Sequence, residues 1–239
     1  MLPTSAIVIG GPGAGKTTRG MDLMDRCFDL GYSDPTRTGF VSFTRSARRE
    51  AASRAADRFN IPLADLERNG WFRTLHSCCF RMLGVPRGML LVGGKDDDEW
   101  LRTAIRSDGA RVPTNDIDDD GMSFHAAHDD GTRAMAIWET ARNLLQPFST
   151  LWEKFFASDW RLPSLKDCLR IILDYETAKL KDARLDYCDL LMRVAGKKWD
   201  GGSGFMDADP EGDVPVLPVW FLDEAQDISL LSSLVFRRL

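Results

Sequence analysis

The sequence predicts an α/β protein whose parallel sheet is interrupted by an inserted helical subdomain. Strand-like and helix-like segments alternate through the first 83 residues. Helical patterns then dominate until an apolar run at residues 216–222, where the chain returns to the sheet. We therefore expect residues 1–90 and 196–239 to build the sheet domain and residues 91–195 to form the helical insertion.

Three strand–helix units are predicted in the first part of the chain. Their strands are at residues 6–9, 39–44 and 71–74, and their helices are at residues 16–30, 46–59 and 75–83. Gly31 is placed to end the first helix, and Ser46 is able to cap the second. Repeated strand–helix units of this kind predict parallel strands joined by right-handed crossovers.

The helices of the insertion are predicted from apolar residues at helical spacing. They lie at residues 99–105, 134–145, 151–156 and 165–178. The acidic stretches at residues 96–99 and 116–130 are predicted as solvated loops, and the glycine-rich residues 200–213 as an exposed connector. Residues 228–239 have a helical pattern without a terminal cap or breaker, so we expect a chain that is truncated there.

Composition excludes several classes of protein. The chain of 239 residues is 44% hydrophobic with a net charge of −5, which is ordinary for a globular protein and does not favour indiscriminate coating of nucleic acid. Five cysteines without a CxxC pair favour reduced thiols over a disulfide framework. No apolar run approaches the roughly 20 residues of a membrane span, and no signal peptide is visible. We expect a cytoplasmic protein with no membrane partner.

Residues 10–17, Gly-Gly-Pro-Gly-Ala-Gly-Lys-Thr, fit the pattern G-x-x-x-x-G-K-[ST] of a P-loop between a strand and a helix. In such a loop, backbone N–H groups surround the phosphates, Lys16 reaches the β- and γ-phosphates, and Thr17 offers its hydroxyl to Mg²⁺. The predicted nucleotide-binding residues are Gly11, Gly13, Ala14, Gly15, Lys16, Thr17 and Thr18. The motif predicts a nucleoside triphosphate with Mg²⁺ as cofactors, and it does not by itself choose between ATP and another nucleotide or between a kinase, a GTPase and a motor.

Two adjacent carboxylates, Asp223 and Glu224, follow the apolar strand near the end of the chain. This is the usual position of an aspartate that binds Mg²⁺ beside a carboxylate that activates the attacking water. Asp223 is therefore the predicted metal ligand, with Thr17, and Glu224 the predicted catalytic base, with Lys16 as a second catalytic group. The alternative is an acidic helix N-terminus without a chemical role.

Residues 223–227, Asp-Glu-Ala-Gln-Asp, resemble motif II of the UvrD/PcrA/Rep-like superfamily-one DNA helicases. Residues 42–50 look like motif Ia of that family, residues 73–77 like motif Ib, and residues 185–191 like the Asp-Phe-x-Asp-Leu-Leu segment. All four occur in the family's order. The resemblance implies a RecA-like P-loop NTPase domain, called 1A, with a helical 1B insertion, belonging to a DNA translocase.

The resemblance also implies roles for residues that bind nucleic acid. Phe43 would stack on a base of single-stranded DNA, and Arg45 belongs to the same predicted contact segment. Backbone contacts would come from Thr44, Thr74 and His76. Gln226 would couple the γ-phosphate to the DNA site as a third catalytic residue. The alternatives are that Phe43 is a core residue and that His76 is a structural histidine.

The family's motifs III to VI are not present, nor are the arginines and the second RecA-like domain that close over the nucleotide. The implied partners are single-stranded DNA and that second domain, as a missing C-terminal part or a separate chain. We expect this chain alone to hydrolyse ATP weakly or not at all. Motif Ia has Thr-Arg-Ser where the family usually has Thr-Asn-Lys.

Two other functions remain open at this point. One is a non-catalytic binding module that keeps half of a motor, and the other is a P-loop kinase for small molecules, although no arginine-rich lid is visible. A metal site at His125 and His128 is a weaker possibility, because no third ligand accompanies them.

Overall fold

The computed structural model of the chain describes residues 15–112, 129–155, 157, 163–202, 204–225 and 228–239. The chain forms two compact units. Unit 1 comprises Met1–Cys78 and Pro215–Asp227, and unit 2 comprises Cys79–Val214 and Ile228–Leu239. The predicted strand at residues 6–9 lies outside the described residues.

The described helices and strands follow in chain order. The helices are α1 (Lys16–Asp29), α2 (Arg45–Phe59), α3 (Leu63–Arg68), α4 (Leu75–Leu83), α5 (Lys95–Ile105), α6 (Asp130–Leu144), α7 (Phe148–Phe155), α8 (Leu165–Asp182), α9 (Tyr187–Ala195) and α10 (Leu230–Phe236). The strands are β1 (Thr38–Ser42), β2 (Trp71–Thr74), β3 (Lys197–Trp199), β4 (Phe205–Asp207) and β5 (Val219–Leu222).

The sheet of unit 1 is parallel and has the order β2-β1-β5. Phe40 of β1 lies opposite Phe72 of β2 and Phe221 of β5 in the two ladders. The predicted parallel α/β fold is thereby confirmed. Because all three strands run the same way, their carboxyl ends share one edge of the sheet, and the residues that follow β1, β2 and β5 emerge there.

Helices α1, α2 and α3 cover one face of this sheet. The rings of Phe40 and Phe72 stack on that face with centroids 5.6 Å apart. Residues of α2 that face the core are alanines, and Ala51, Ala52 and Ala55 are fully buried. Since alanine side chains are short, α2 lies close against its neighbours in this core, which also contains Met21, Met24 and Leu66.

Gly39 makes room for a tryptophan on the opposite face of the sheet. It pairs with Trp71 on one side and Trp220 on the other. A Cβ atom at position 39 would lie 2.1 Å from the Trp220 ring, a distance that side chains do not tolerate. The two indole rings meet edge to face with centroids 6.0 Å apart, so glycine is required for this packing.

Unit 2 has a separate helical core centred on Trp138. The buried members of this core come from α5, α6, α7 and α8 and from neighbouring segments. Trp138 contacts Trp199 of β3 edge to face at 5.2 Å and stacks on Phe205 of β4 at 5.7 Å. The antiparallel hairpin of β3 and β4 is therefore anchored to the helices through aromatic packing.

A buried ion cluster joins α6, α8 and α9 in unit 2. Arg142 donates to both carboxylate oxygens of Asp186, at 2.9 and 2.7 Å. Asp186 also accepts hydrogen bonds from the Tyr175 hydroxyl, at 2.8 Å, and from the Lys179 ammonium, at 3.1 Å. Lys179 bonds Asp189 as well, at 2.8 Å, and pairs with Glu176 at 3.0 Å, so two cations share three carboxylates in this cluster.

Asp186 and Asp189 also begin α9 through a reciprocal capping box. The backbone N–H of Asp189 donates to the Asp186 carboxylate at 2.9 Å, and the N–H of Asp186 donates to the Asp189 carboxylate at 2.8 Å. The N–H groups of Asp186 and Asp189, which have no backbone partner within the helix, are thereby hydrogen-bonded. In the segment that resembles Asp-Phe-x-Asp-Leu-Leu, the two aspartates, Asp186 and Asp189, therefore cap α9 and belong to the buried ion cluster.

Three local predictions were wrong. Residues 96–98 form the first turn of α5, where the Asp97 carboxylate accepts the N–H groups of Val92 and Gly93. Negative charge is favourable at a helix N-terminus, which explains an acidic run there. Residues 200–213 include β4 and so are not all connector. Thr44, and not Ser46, caps α2 by accepting the N–H of Ala47 at 3.1 Å.

Most predicted elements are confirmed within a few residues. The helix predicted at residues 16–30 is α1, and the strand predicted at residues 71–74 is β2. The strand predicted at residues 216–222 begins only at Val219, because Pro218 has no N–H to donate to the ladder. All five cysteines are free and buried, as expected for reduced thiols in the core.

Candidate nucleotide and nucleic-acid site

The first helix begins directly at the lysine of the P-loop pattern. Gly15 has a φ of +78°, in the left-handed region that favours glycine, and its carbonyl oxygen accepts the N–H of Arg19 at 2.8 Å. Lys16 is therefore the first residue of α1, at the end that carries the positive pole of the helix dipole. The N-terminal turn contains no acidic residue that would oppose a bound anion.

Several predicted nucleotide-binding and catalytic residues lie outside the described part of the chain. These are Gly11, Gly13, Ala14 and Gln226, together with the side chain of Thr17, whose backbone is in α1. Thr18 is exposed in the first turn of α1, two residues after Lys16.

Asp223 is held at the carboxyl end of β5 by the sheet itself. Its N–H donates to the carbonyl oxygen of Val41 in β1 at 2.9 Å, and its carboxylate accepts the N–H of Glu224 at 3.1 Å. Glu224 has a φ of +53°, which is uncommon for a residue with a side chain. Backbone conformations of this kind concentrate at functional sites, where the surrounding structure maintains them.

Lys16 and Asp223, which the sequence predicts to act together, lie within electrostatic reach of each other. Burial and the neighbouring carboxylate of Glu224 raise the pKa of Asp223 above its ordinary value. The ammonium of Lys16 lowers it, and the carboxylate of Glu50 raises it further. The carboxyl end of β5 thus carries more negative charge than one lysine offsets, which is the setting that a divalent cation relieves.

The predicted nucleic-acid residues lie at or just beyond the carboxyl ends of the neighbouring strands β1 and β2. Ser42 and Thr74, the last residues of these strands, lie opposite each other in the ladder. The Thr44 hydroxyl accepts the N–H of Ala47, and the Thr74 hydroxyl accepts the N–H of Ser77 at 3.3 Å. A hydroxyl that accepts a hydrogen bond can still donate through its O–H, so capping a helix is compatible with donating to a phosphate. The Thr44 hydroxyl also lies 3.2 Å from that of Ser46, and either can be the donor there.

Phe43 and His76 are half-buried and Arg45 is exposed, just beyond the ends of the same two strands. Because β1 and β2 are adjacent and parallel, the five predicted nucleic-acid residues belong to one edge of the sheet. They are Phe43, Thr44, Arg45, Thr74 and His76. That edge also carries Asp223, since β5 is the other neighbour of β1.

Residues 2–239 match the model of the UvrD/REP helicase N-terminal domain. The chain belongs to this family. The match covers both units, and the mixed α/β architecture with its parallel sheet is that of a UvrD-type RecA-like domain. No curated protein sequence matches the chain.

Membership of the UvrD/REP helicase family implies that this chain is part of a helicase motor. The helicases of this family are ATPases. Within the described residues, no helix is long and apolar enough to cross a membrane. The same residues contain no group of three His, Cys, Asp or Glu side chains placed to hold a metal ion. His125 and His128 lie outside the described residues, while Asp129 caps α6 by accepting the N–H of Thr132 at 2.9 Å.

Glu50 and Arg54 are near the site but were not predicted to belong to it. Glu50 is within electrostatic reach of Asp223, and Arg54 lines a surface groove together with Thr18 and Met21 of α1. Their i,i+4 spacing of opposite charges was visible in the sequence, but such pairs are common on helix surfaces and do not identify a site.

Proposed function

We propose that this chain is the nucleotide-binding half of an ATP-dependent translocase that moves on single-stranded DNA and unwinds DNA together with a second RecA-like domain. In this proposal residues 1–90 and 196–239 form the RecA-like domain 1A, and residues 91–195 form the 1B-like insertion. The observation that carries the proposal is that Lys16, at the start of α1, is near enough to Asp223, at the tip of β5, for its positive charge to lower the pKa of that carboxyl group.

The residues at the tip of β5 suit a magnesium-bound triphosphate. Mg²⁺ prefers oxygen ligands and is usually held by one or two carboxylates, phosphates and water, so a single aspartate beside a P-loop is sufficient. Asp223 and the Thr17 hydroxyl would hold the ion, which neutralises charge on the phosphates when bound. Lys16 and the backbone of residues 11–18 would bind the phosphates.

Glu224 would take the proton of the attacking water. Its left-handed backbone turns the chain sharply after Asp223, so that two consecutive carboxylates need not point the same way. Gln226 would connect this group to the DNA-binding edge. The role of base suits Glu224 because its neighbour Asp223 is assigned to the metal.

Single-stranded DNA would bind along the residues that follow β1 and β2. Phe43 would stack on a base, which requires no particular sequence. Thr44, Thr74 and His76 would donate to the backbone, and Arg45 would neutralise a phosphate. Strand β1 lies between β2 and β5, so a shift of its tip on nucleotide binding would reach the DNA directly.

The test is DNA-stimulated ATP hydrolysis by the chain assembled with a second RecA-like domain. Single-stranded DNA should raise the hydrolysis rate, and Glu224→Gln should abolish hydrolysis while nucleotide still binds. The isolated chain should bind a fluorescent ATP analogue and a labelled oligo(dT), and each ligand should change the affinity for the other by the same factor. Hydrolysis that is indifferent to DNA would overturn the translocase proposal.

A further inference from the structure

We propose that Arg49 of α2 is a further nucleic-acid contact, which neutralises a phosphate of the single strand one helical turn beyond the contact predicted for Arg45. The strand would then run from the tips of β1 and β2 along the first two turns of α2. The inference rests on the proposed function and adds one residue to its DNA-binding surface.

Helix α2 continues directly from the predicted DNA-binding edge. It begins at Arg45, and its N-cap is Thr44, the last predicted contact before the helix. Arg45 and Arg49 are four residues apart, so they lie on one face of the helix, about 6 Å apart along its axis. Both residues are exposed. A basic row on this face therefore starts where the predicted contacts of β1 end.

The charged residues of α2 that flank Arg49 are already paired. Arg48 forms an ion pair with Glu67 of α3 at 3.2 Å, and its side chain is only 23% exposed. Glu50 pairs with Arg54, one turn further along α2, at 2.5 Å. Within the part of the chain that the structure describes, Arg49 has no ion-pair partner. Its positive charge is therefore offered to solvent.

The position of this basic row is unfavourable for the helix itself. A helix N-terminus carries the positive pole of the dipole, which favours acidic side chains and disfavours arginine. The first turn of α2 contains no acidic residue. Like charges four residues apart, such as those of Arg45 and Arg49, also repel each other. A bound phosphate removes both penalties, so the row suits an anionic ligand.

The residues beside the row favour a single strand of nucleic acid over an isolated anion. Phe43 precedes the row and would offer its ring to a base, and the hydroxyls of Thr44 and Ser46 lie 3.2 Å apart at the start of the helix. Aromatic rings beside a positively charged groove are the arrangement by which proteins bind single strands of any sequence. Because the net charge of the chain is −5, a strand is attracted by this local row and not by the chain as a whole.

The experiment measures the affinity of the chain for labelled oligo(dT) at several salt concentrations by fluorescence anisotropy. Each phosphate that a protein neutralises on a single strand contributes about 0.7 to the slope of log affinity against log salt concentration. Arg49→Gln should therefore make the slope shallower by about 0.7 and weaken binding several-fold at low salt. Arg49→Lys keeps the charge and should retain the wild-type slope.

The matched control is Arg48→Gln, which removes the same charge from the adjacent position, where the guanidinium is paired with Glu67. Its slope should equal that of wild type. An equal loss of slope in Arg48→Gln and Arg49→Gln would indicate an effect of net charge and overturn the inference. Weaker binding of Arg49→Gln with an unchanged slope would indicate a structural role and overturn it as well. A wild-type chain that binds no oligo(dT) would overturn the proposed DNA-binding function with it.

Discussion

The backbone N–H of Asp223 donates a hydrogen bond to the carbonyl oxygen of Val41 at 2.9 Å. Asp223 lies one residue beyond the end of β5. The ladder between β1 and β5 therefore continues up to the proposed metal ligand. Asp223 is positioned by the sheet and not by a loop, so its distance from Lys16 depends mainly on where α1 begins.

Lys16→Met should weaken binding of a magnesium–ATP analogue by at least about tenfold, the effect of losing a charge-assisted hydrogen bond to phosphate. Fluorescence titration of the isolated chain measures this. Lys198→Met, which changes an exposed lysine in β3, is the control and should bind like wild type. Equal affinities of the two variants would contradict the role of Lys16.

Phe43→Ala should weaken binding of labelled oligo(dT) by about 1–3 kcal/mol, because stacking of a base on an aromatic side chain contributes that much. Fluorescence anisotropy at fixed salt gives the affinity. The control is Tyr32→Ala, which removes an exposed aromatic ring beyond the C-terminal end of α1. If Phe43→Ala lowered only the melting temperature and left DNA affinity unchanged, Phe43 would be a core residue.

Gly39→Ala should destabilise the protein by about 1–3 kcal/mol or more, because its Cβ would overlap the Trp220 ring. Urea denaturation followed by circular dichroism measures the change. Gly20→Ala is the control, since a Cβ there meets no atom within 4 Å and position 20 is inside α1. That variant should be more stable by about 0.5–1 kcal/mol. In a Trp220→Ala background, Gly39→Ala should cost much less.

Arg142→Met should destabilise unit 2 by about 3–5 kcal/mol, because it leaves the carboxylates of Asp186 and Asp189 buried with one cation. Chemical denaturation is again the measurement. Arg170→Met removes an arginine from an exposed pair and should cost no more than about 1 kcal/mol. Similar losses in both variants would mean that the buried cluster contributes no more than a surface pair.

The same cluster predicts a pH dependence of stability. Burial and the charge of Asp186 raise the pKa of Asp189 to about 6. The folded state then binds a proton more tightly than the unfolded state, so the free energy of unfolding should rise as the pH falls from about 7 to about 5. For Asp186, burial is outweighed by Arg142 and Lys179, which lower its pKa. Its contribution is present above about pH 4 and is lost below that.

Asp189→Asn tests this assignment, since the amide resembles the protonated carboxyl group. Denaturation curves at about pH 5 and about pH 7 should differ less in the variant than in wild type, by on the order of 1 kcal/mol. Asp182→Asn, which changes an aspartate at the end of α8, should keep the wild-type slope. An unchanged slope in Asp189→Asn would place the titration on another group.

The parallel sheet and the phosphate-binding region could be predicted because their signals are local in the sequence. The P-loop pattern and the Asp223–Glu224 pair are contiguous motifs, each beside an apolar strand. Glu50 lies in the segment that resembles motif Ia, but its electrostatic effect on Asp223 depends on how α2 packs beside β1. That packing follows from Ala51 and Ala52 being buried, which no local pattern reveals.

The hairpin of β3 and β4 could not be predicted for a related reason. Its strands have three residues each, and the segment between them, Asp-Gly-Gly-Ser-Gly, is rich in glycine, a composition typical of loops. The hairpin exists because Trp199 and Phe205 pack on Trp138, far away in the sequence. Tertiary packing of this kind overrides local propensity.

The pairing of β1 with β5 has a consequence for biosynthesis. Strand β1 ends at Ser42, yet its partner β5 begins at Val219, and most of unit 2 is encoded between them. A nascent chain exposes one side of β1 to solvent until the ribosome has released the residues after Val219. Contacts so distant in sequence form slowly, so the open edge of β1 leaves the emerging polypeptide exposed to aggregation and to chaperones until β5 has been made.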